Sequence, residues 1–208
     1  MEIVLLCTEG MSYAEVSGFI GSVPAARRGR ILKKANDADK LNALLSDLLL
    51  TSEITKRTGI PAGKIAFTKG QFGKPYLKDG GLWFSLSHTN GAIAAAFSKT
   101  SEIGVDIERC SRKASEKLYE RVLCEEEKPL VNSDEDFIRI WVQKEAFLKR
   151  LGVGITRSLR GVNTTALPDT AAIKTDGFFI AASGAGAANM TVSKITPKEL
   201  LEKYIKIN

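Results

Sequence analysis

Gly104-Val-Asp-Ile-Glu108 alternates apolar and acidic side chains in the middle of the chain. On a strand, residues i and i+2 share a face, so Asp106 and Glu108 project together while Val105 and Ile107 point into a core. Two carboxylates held side by side repel unless a cation lies between them. Their hard oxygens suit Mg²⁺, which takes one or two protein carboxylates and fills its shell with water and substrate phosphates. A solvent-facing acidic pair on an amphipathic strand gives the same pattern, so the run needs support from its surroundings.

Outward from that strand, the two flanks carry similar elements. On the N-terminal side, Glu2–Cys7 is an apolar run with strand character. Pro24 opens a helix expected to run through Lys34. Asp37 is the expected N-cap of a longer helix, with Leu41, Leu44, Leu45, Leu48 and Leu49 at helical spacing. That helix stops near Gly59, with Pro61 barring its continuation. Between Ile65 and Phe97, glycines and Pro75 punctuate short strands, and Leu82–Leu86 and Ala92–Phe97 flank Asn90-Gly91 as a hairpin.

On the C-terminal side, helices are expected over 115–131 and 134–150, the second with Ser133 as N-cap and Gly152 as stop. Short apolar runs at 171–173, 178–182 and 190–195 and a polar helix from Pro197 complete the chain. The order predicts an α+β fold built as a duplication, two similar α/β halves over 1–103 and 104–208. No repeat of fixed period is visible, and no Pro- or Ser-rich linker parts the halves, so they are expected to pack tightly.

Composition narrows the function. The 208 residues carry a net charge of +6, and 44% of them are hydrophobic, an ordinary globular balance. No run of 18 apolar residues is present, which excludes a membrane helix. Glu2 and Glu9 flank the first apolar run, which lacks a basic start and a small-residue cleavage site, so secretion is not expected. Cys7, Cys110 and Cys124 show no CxxC spacing, and a reducing cytoplasm is the expected location. The single histidine, His88, excludes a multi-histidine metal centre. Most of the positive surplus falls on residues 24–40, where Arg27, Arg28, Arg30, Lys33, Lys34 and Lys40 outnumber Asp37 and Asp39. Such concentration suggests an anion site, although a solvated helix face has the same composition.

Three further stretches bear on chemistry. In Trp141-Val-Gln-Lys-Glu-Ala-Phe-Leu-Lys149, helical spacing makes Glu145 and Lys149 i,i+4 neighbours. A third carboxylate beside an ammonium would complete a site for Mg²⁺ and phosphate; alone, the pair reads as an ordinary surface contact. Phe84-Ser-Leu-Ser-His-Thr89 ends a strand where a turn begins, and Ser87, His88 and Thr89 are donors able to meet an anion. Adjacent Ser87 and His88 point apart on a strand, which rules out a serine-hydrolase pair. Gly73-Lys-Pro-Tyr-Leu77 sets Lys74 on a rigid turn beside Pro75.

Taken in order, G-K-P, F-S-x-S-H-T, G-V-D-I-E and W-x-x-K-E-A-x-x-K resemble the 4′-phosphopantetheinyl transferases, and the length resembles their surfactin-synthetase-activating type. The resemblance implies transfer of phosphopantetheine from coenzyme A to a serine of an acyl or peptidyl carrier protein, leaving adenosine 3′,5′-bisphosphate. It implies a pseudo-twofold fold with the active site between the halves, the first binding coenzyme A and the second holding the metal ligands and catalytic helix. Asp106, Glu108 and Glu145 would hold Mg²⁺. Lys149 would contact the pyrophosphate, and Glu145 would help deprotonate the attacking serine. Lys74 and Pro75 would touch coenzyme A, Ser87 and His88 the nucleotide phosphates, and Arg27 and Arg30 the 3′-phosphate. Glu127 matches a position often acidic in the family. Where the family commonly has arginine after the acidic start of the long helix, only Lys40 stands near. A monomer is expected, with no nucleic-acid or membrane partner.

Two other classes compete. A Mg²⁺-dependent phosphohydrolase on a nucleotide substrate would use the same carboxylates with water as nucleophile. A nucleic-acid-binding module would explain the basic segment, but no set of stacking aromatics accompanies it.

Overall fold

The computed structural model describes residues 1–154 and 158–207. The first half runs β1 (Glu2–Cys7), α1 (Tyr13–Val16), α2 (Ala25–Leu32), α3 (Asp37–Thr58), β2 (Phe67–Lys69), β3 (Pro75–Leu77), β4 (Trp83–Thr89) and β5 (Ala92–Ser98). The second runs β6 (Gly104–Arg109), α4 (Glu116–Val122), α5 (Asp134–Leu151), β7 (Thr170–Thr175), β8 (Phe178–Ser183), β9 (Thr191–Ile195) and α6 (Pro197–Ile207).

Two sheets form the centre, and helices cover them. One sheet has the order β4-β5-β1-β9 and the other β6-β8-β7, with β2-β3 as a separate ribbon. The sheets face each other through Ile3 and Leu5 of β1, Ala92, Ala94 and Ala96 of β5, Val105 and Ile107 of β6, and Ile180 of β8. The alanine side chains of β5 let the layers approach closely. On the outer face of the first sheet, Val4, Leu6, Ile93 and Phe97 pack with the leucines of α3 and with Leu200 and Tyr204 of α6. On the outer face of the second, Phe179 and Ala181 meet Phe137, Ile138 and Val142 of α5. The mixed α+β expectation is met.

The boundary expected at 103/104 is crossed. β9 pairs parallel with β1, and α6 packs beside α3, so the last strand and helix join the first half's sheet. β1 is apolar on both faces and buried between two neighbours, β5 on one edge and β9 on the other. A terminal strand that completes such a sheet removes an exposed edge.

Two helix details differ from expectation. Asn36 is the N-cap of α3, accepting from the Asp39 N–H, and Asp37 lies in the first turn, where its charge suits the helix dipole. The stretch 115–131 is divided, because Leu123 is extended after α4 and only a single tight turn, Lys128–Leu130, follows. Pro129 fits the start of that turn but could not sit inside a continuous helix. Among the described residues, no helix is long and apolar enough to cross a membrane. All three cysteines are free.

Candidate active site

The site begins where β4 lies along β6. Ser85, Ser87 and Thr89 share one face of β4, and each hydroxyl meets the neighbouring sheet. The Val105 N–H donates to Ser85 Oγ at 3.0 Å, Ser87 Oγ donates to Asp106 Oδ1 at 2.6 Å, and Thr89 Oγ1 donates to Glu108 Oε1 at 2.5 Å. The spaced hydroxyls of the F-S-x-S-H-T stretch therefore stitch the two sheets together and orient both carboxylates. Ser87 is buried, and its oxygen also accepts from Lys149. His88, on the opposite face, is exposed.

Helix α5 brings the other charged groups. Gly104 has no side chain, which allows α5 to rest on the start of β6. Lys149 Nζ then reaches Asp106 Oδ1 at 2.6 Å and Ser87 Oγ at 2.7 Å. Glu145, one turn earlier, is half-buried. Its carboxyl is held above the ordinary carboxylate range by burial and then by the Asp106 charge, while Lys149 and a hydrogen bond from the Trp141 indole pull it partly back. Asp106, Glu145 and Lys149 thus occupy one site.

Glu108 shares the strand face, but its carboxylate is engaged elsewhere. One oxygen accepts from Thr89 and the Arg109 N–H, and the other pairs with Arg112. Accordingly, no three acidic, histidine or cysteine side chains among the described residues stand gathered as a metal shell. The donor chemistry still fits a hard divalent cation: carboxylate oxygens, partly buried, with the Asp106 charge close enough to oppose ionisation of Glu145. Lys149 offsets that charge only in part.

Two adjoining hollows open beside this centre. One, of about 410 Å³, is lined by Phe72, Lys74, Pro75, Phe84, His88, Lys149 and Gly152. The other, of about 200 Å³, is lined by Arg27, Arg30, Ser46, Asp47 and Phe67, and shares Pro75 and Phe84 with the first. A larger hollow of about 540 Å³ beside Lys56, Arg57 and Lys99 includes none of the expected site residues.

The expected coenzyme A contacts are placed unequally. Arg27 is tied into the fold, with Nε 2.7 Å from Asp47 and further bonds to the Ile65 carbonyl and Thr51. Arg30 is exposed at the small hollow. Lys74 lines the larger hollow, yet its ammonium donates to the Arg150 carbonyl at 2.8 Å and the Ile103 carbonyl at 3.2 Å, and burial lowers its pKa. It braces the end of α5. Lys40 pairs with Asp37 at 3.0 Å and lies over the Tyr13 ring. Glu127 is fully buried in an ion pair with Lys144 at 2.5 Å and also accepts from the Cys124 N–H and from the backbone and hydroxyl of Thr164. It fastens the 124–127 turn and the 163–164 loop to α5.

Sequence reading missed three participants. Arg112 lies outside the motif, and only the turn that follows β6 brings it back to Glu108, so it gave no signal. Lys144, inside the W-x-x-K-E motif, looks like a solvent lysine until its helix face is known to be buried. Lys34 sits in the basic segment, and only the fold brings its charge to His88.

Comparison with known proteins shows what one segment of the chain resembles. Residues 102–192, from the loop before β6 through the start of β9, match the family model of the 4′-phosphopantetheinyl transferase superfamily. That segment, somewhat under half of the chain, is similar to the superfamily. Among curated relatives, it is 31% identical over 150 residues to the L-aminoadipate-semialdehyde dehydrogenase-phosphopantetheinyl transferase of Candida glabrata, covering 65% of this chain and 57% of that one. It is 29% identical over 147 residues to the 4′-phosphopantetheinyl transferase gsp of Aneurinibacillus migulanus, covering 67% and 61%. It is 27% identical over 156 residues to the 4′-phosphopantetheinyl transferase Sfp of Bacillus subtilis, covering 72% and 69%. The aligned stretches thus span somewhat over half of the first two relatives and about two thirds of the third.

Proposed function

We propose that this chain transfers 4′-phosphopantetheine from coenzyme A to a serine of an apo acyl or peptidyl carrier protein, with Mg²⁺ as cofactor. The observation that carries the reading is the convergence of Lys149 and Ser87 on Asp106, with Glu145 beside them, at the edge of a hollow lined by Lys74, Pro75 and His88. Asp106, Glu108 and Glu145 would hold Mg²⁺, which would supply neutralisation of the pyrophosphate charge.

The remaining steps fall to the protein. Lys149 contacts the pyrophosphate, His88 donates to the nucleotide phosphates, and Arg30 meets the 3′-phosphate from the adjoining hollow. The carrier serine Oγ forms a bond to the phosphorus bearing the pantetheine arm as the bridging P–O bond breaks. The serine proton passes to Glu145, and adenosine 3′,5′-bisphosphate leaves with the bond's electron pair. Alignment and charge neutralisation provide the catalysis, with no covalent enzyme intermediate.

On this reading the two α/β layers are the halves of a pseudo-twofold duplication, the first binding coenzyme A and the second supplying the acidic strand and catalytic helix. The protein acts as a cytoplasmic monomer without nucleic-acid or membrane partners. Chromatography of a reaction containing coenzyme A, Mg²⁺ and an apo carrier tests the proposal. Adenosine 3′,5′-bisphosphate formed only when the carrier is present supports it. Hydrolysis of coenzyme A without the carrier would instead indicate a phosphohydrolase.

A further inference from the structure

Glu108, Arg112, Trp141 and Glu145 form one connected set. Glu108 has a side chain only 13% exposed, and its free oxygen is taken by the Arg112 guanidinium. That guanidinium lies over the Trp141 ring, 4.3 Å from its centroid. The same indole stands beside Glu145 and favours its charged form. Trp141 thus neighbours two acidic residues of the site, Glu145 itself and, through Arg112, Glu108. Glu108 cannot offer this oxygen to a metal while the guanidinium holds it.

We propose that Arg112 is a positioning residue that acts as an exchangeable counter-ion, covering Glu108 in the metal-free site and leaving it when a divalent cation binds. The inference rests on the reading that Asp106, Glu108 and Glu145 hold that cation. Stacking on Trp141 keeps the guanidinium close and partly desolvated, as a planar cation on an aromatic face is favoured. The ion pair itself is weak enough to exchange, because Arg112 is 43% exposed. Cation binding therefore competes with Arg112, and its departure uncovers the face of Trp141.

The test is Mg²⁺ binding without coenzyme A or carrier, followed by calorimetry and by tryptophan emission in a Trp83→Phe background, which leaves Trp141 as the only indole. Arg112→Gln removes the competing charge and is expected to tighten Mg²⁺ binding roughly three- to five-fold, the value of an exposed ion pair. Lys113→Gln is the control for general electrostatics. Its ammonium carries the same charge one residue away but pairs with Asp134, and it is expected to leave the affinity nearly unchanged. Mg²⁺ is expected to change Trp141 emission in the Arg112 protein, and the metal-free Arg112→Gln spectrum to resemble the loaded one. Equal tightening by both substitutions, or an Arg112→Gln affinity equal to that of the unsubstituted protein, overturns the counter-ion role while leaving the metal site intact. Absence of Mg²⁺ binding in the unsubstituted protein overturns both. If the Trp83→Phe background fails to fold, the calorimetric comparison decides alone.

Discussion

Gly104 lies directly beneath Ala146: a Cβ built on Gly104 would stand 1.9 Å from the Ala146 carbonyl oxygen and 2.5 Å from the Arg150 backbone nitrogen. Both obstacles are helix backbone, so no side-chain rotation relieves the clash. Gly104→Ala must push α5 away from β6, and Glu145 and Lys149 with it. The expected cost is about 3 kcal/mol of stability, with loss of transfer in whatever folded protein remains. Denaturant unfolding checks the first effect, and a variant as stable as the parent would contradict the packing described.

The buried Lys144–Glu127 pair makes a different demand on α5. Burial opposes ionisation of Glu127, but hydrogen bonds from Lys144, Thr164 and Cys124 outweigh it and lower its pKa. Lys144→Met leaves a buried carboxylate without its cation and should destabilise the protein by about 3–5 kcal/mol. Adding Glu127→Gln should recover part of that loss, since the unpaired charge is then gone. A double variant no better than Lys144→Met would show that the charge is not what matters.

Arg27 and Arg30 should separate under substitution. Arg27 and Asp47 are each 12% exposed in their ion pair, so Arg27→Ala leaves Asp47 buried without its partner and costs about 3 kcal/mol of stability. Arg30 is exposed beside the small hollow. Arg30→Ala should leave the melting temperature unchanged and raise KM for coenzyme A about ten-fold, the value of one charged contact to phosphate. KM for dephospho-coenzyme A should stay nearly constant. Equal effects on both substrates would remove Arg30 from the 3′-phosphate.

His88 offers a clean pH signature because it is the only histidine. Crowding by surrounding chain, then the Lys149 and Lys34 ammoniums, push its pKa below the ordinary 6.5. The unfolded chain therefore takes up this proton first, and stability from neutral His88 is present above pH 6.5 and lost as pH falls from there through the folded pKa. His88→Gln should flatten that part of the stability–pH curve. Bound inorganic phosphate should also reduce the decline by favouring the imidazolium. Identical curves for the two proteins would contradict the lowered pKa.

Much of this was legible before the fold. Period-two alternation placed Asp106 and Glu108 on one face, and helical spacing placed Glu145 beside Lys149, because these are local consequences of backbone geometry. The end of α3 was readable from Gly59 for the same reason, whereas its N-cap is Asn36 and not the expected Asp37. What escaped depends on distant neighbours. Ser87 looked like an anion donor, yet the adjacent sheet turns it toward Asp106. Lys74 and Arg27 looked like ligand contacts, yet backbone carbonyls and Asp47 claim them. The return of β9 to the side of β1 is a long-range pairing with no local signature.

Intact-mass spectrometry of an apo carrier protein incubated with coenzyme A, Mg²⁺ and either the parent enzyme or folded Asp106→Ala tests the central claim most directly. The account predicts a carrier heavier by one phosphopantetheine on its serine with the parent enzyme, and almost no gain when Asp106 is replaced or Mg²⁺ is chelated. An unmodified carrier with the parent enzyme, or full modification by Asp106→Ala, would contradict it.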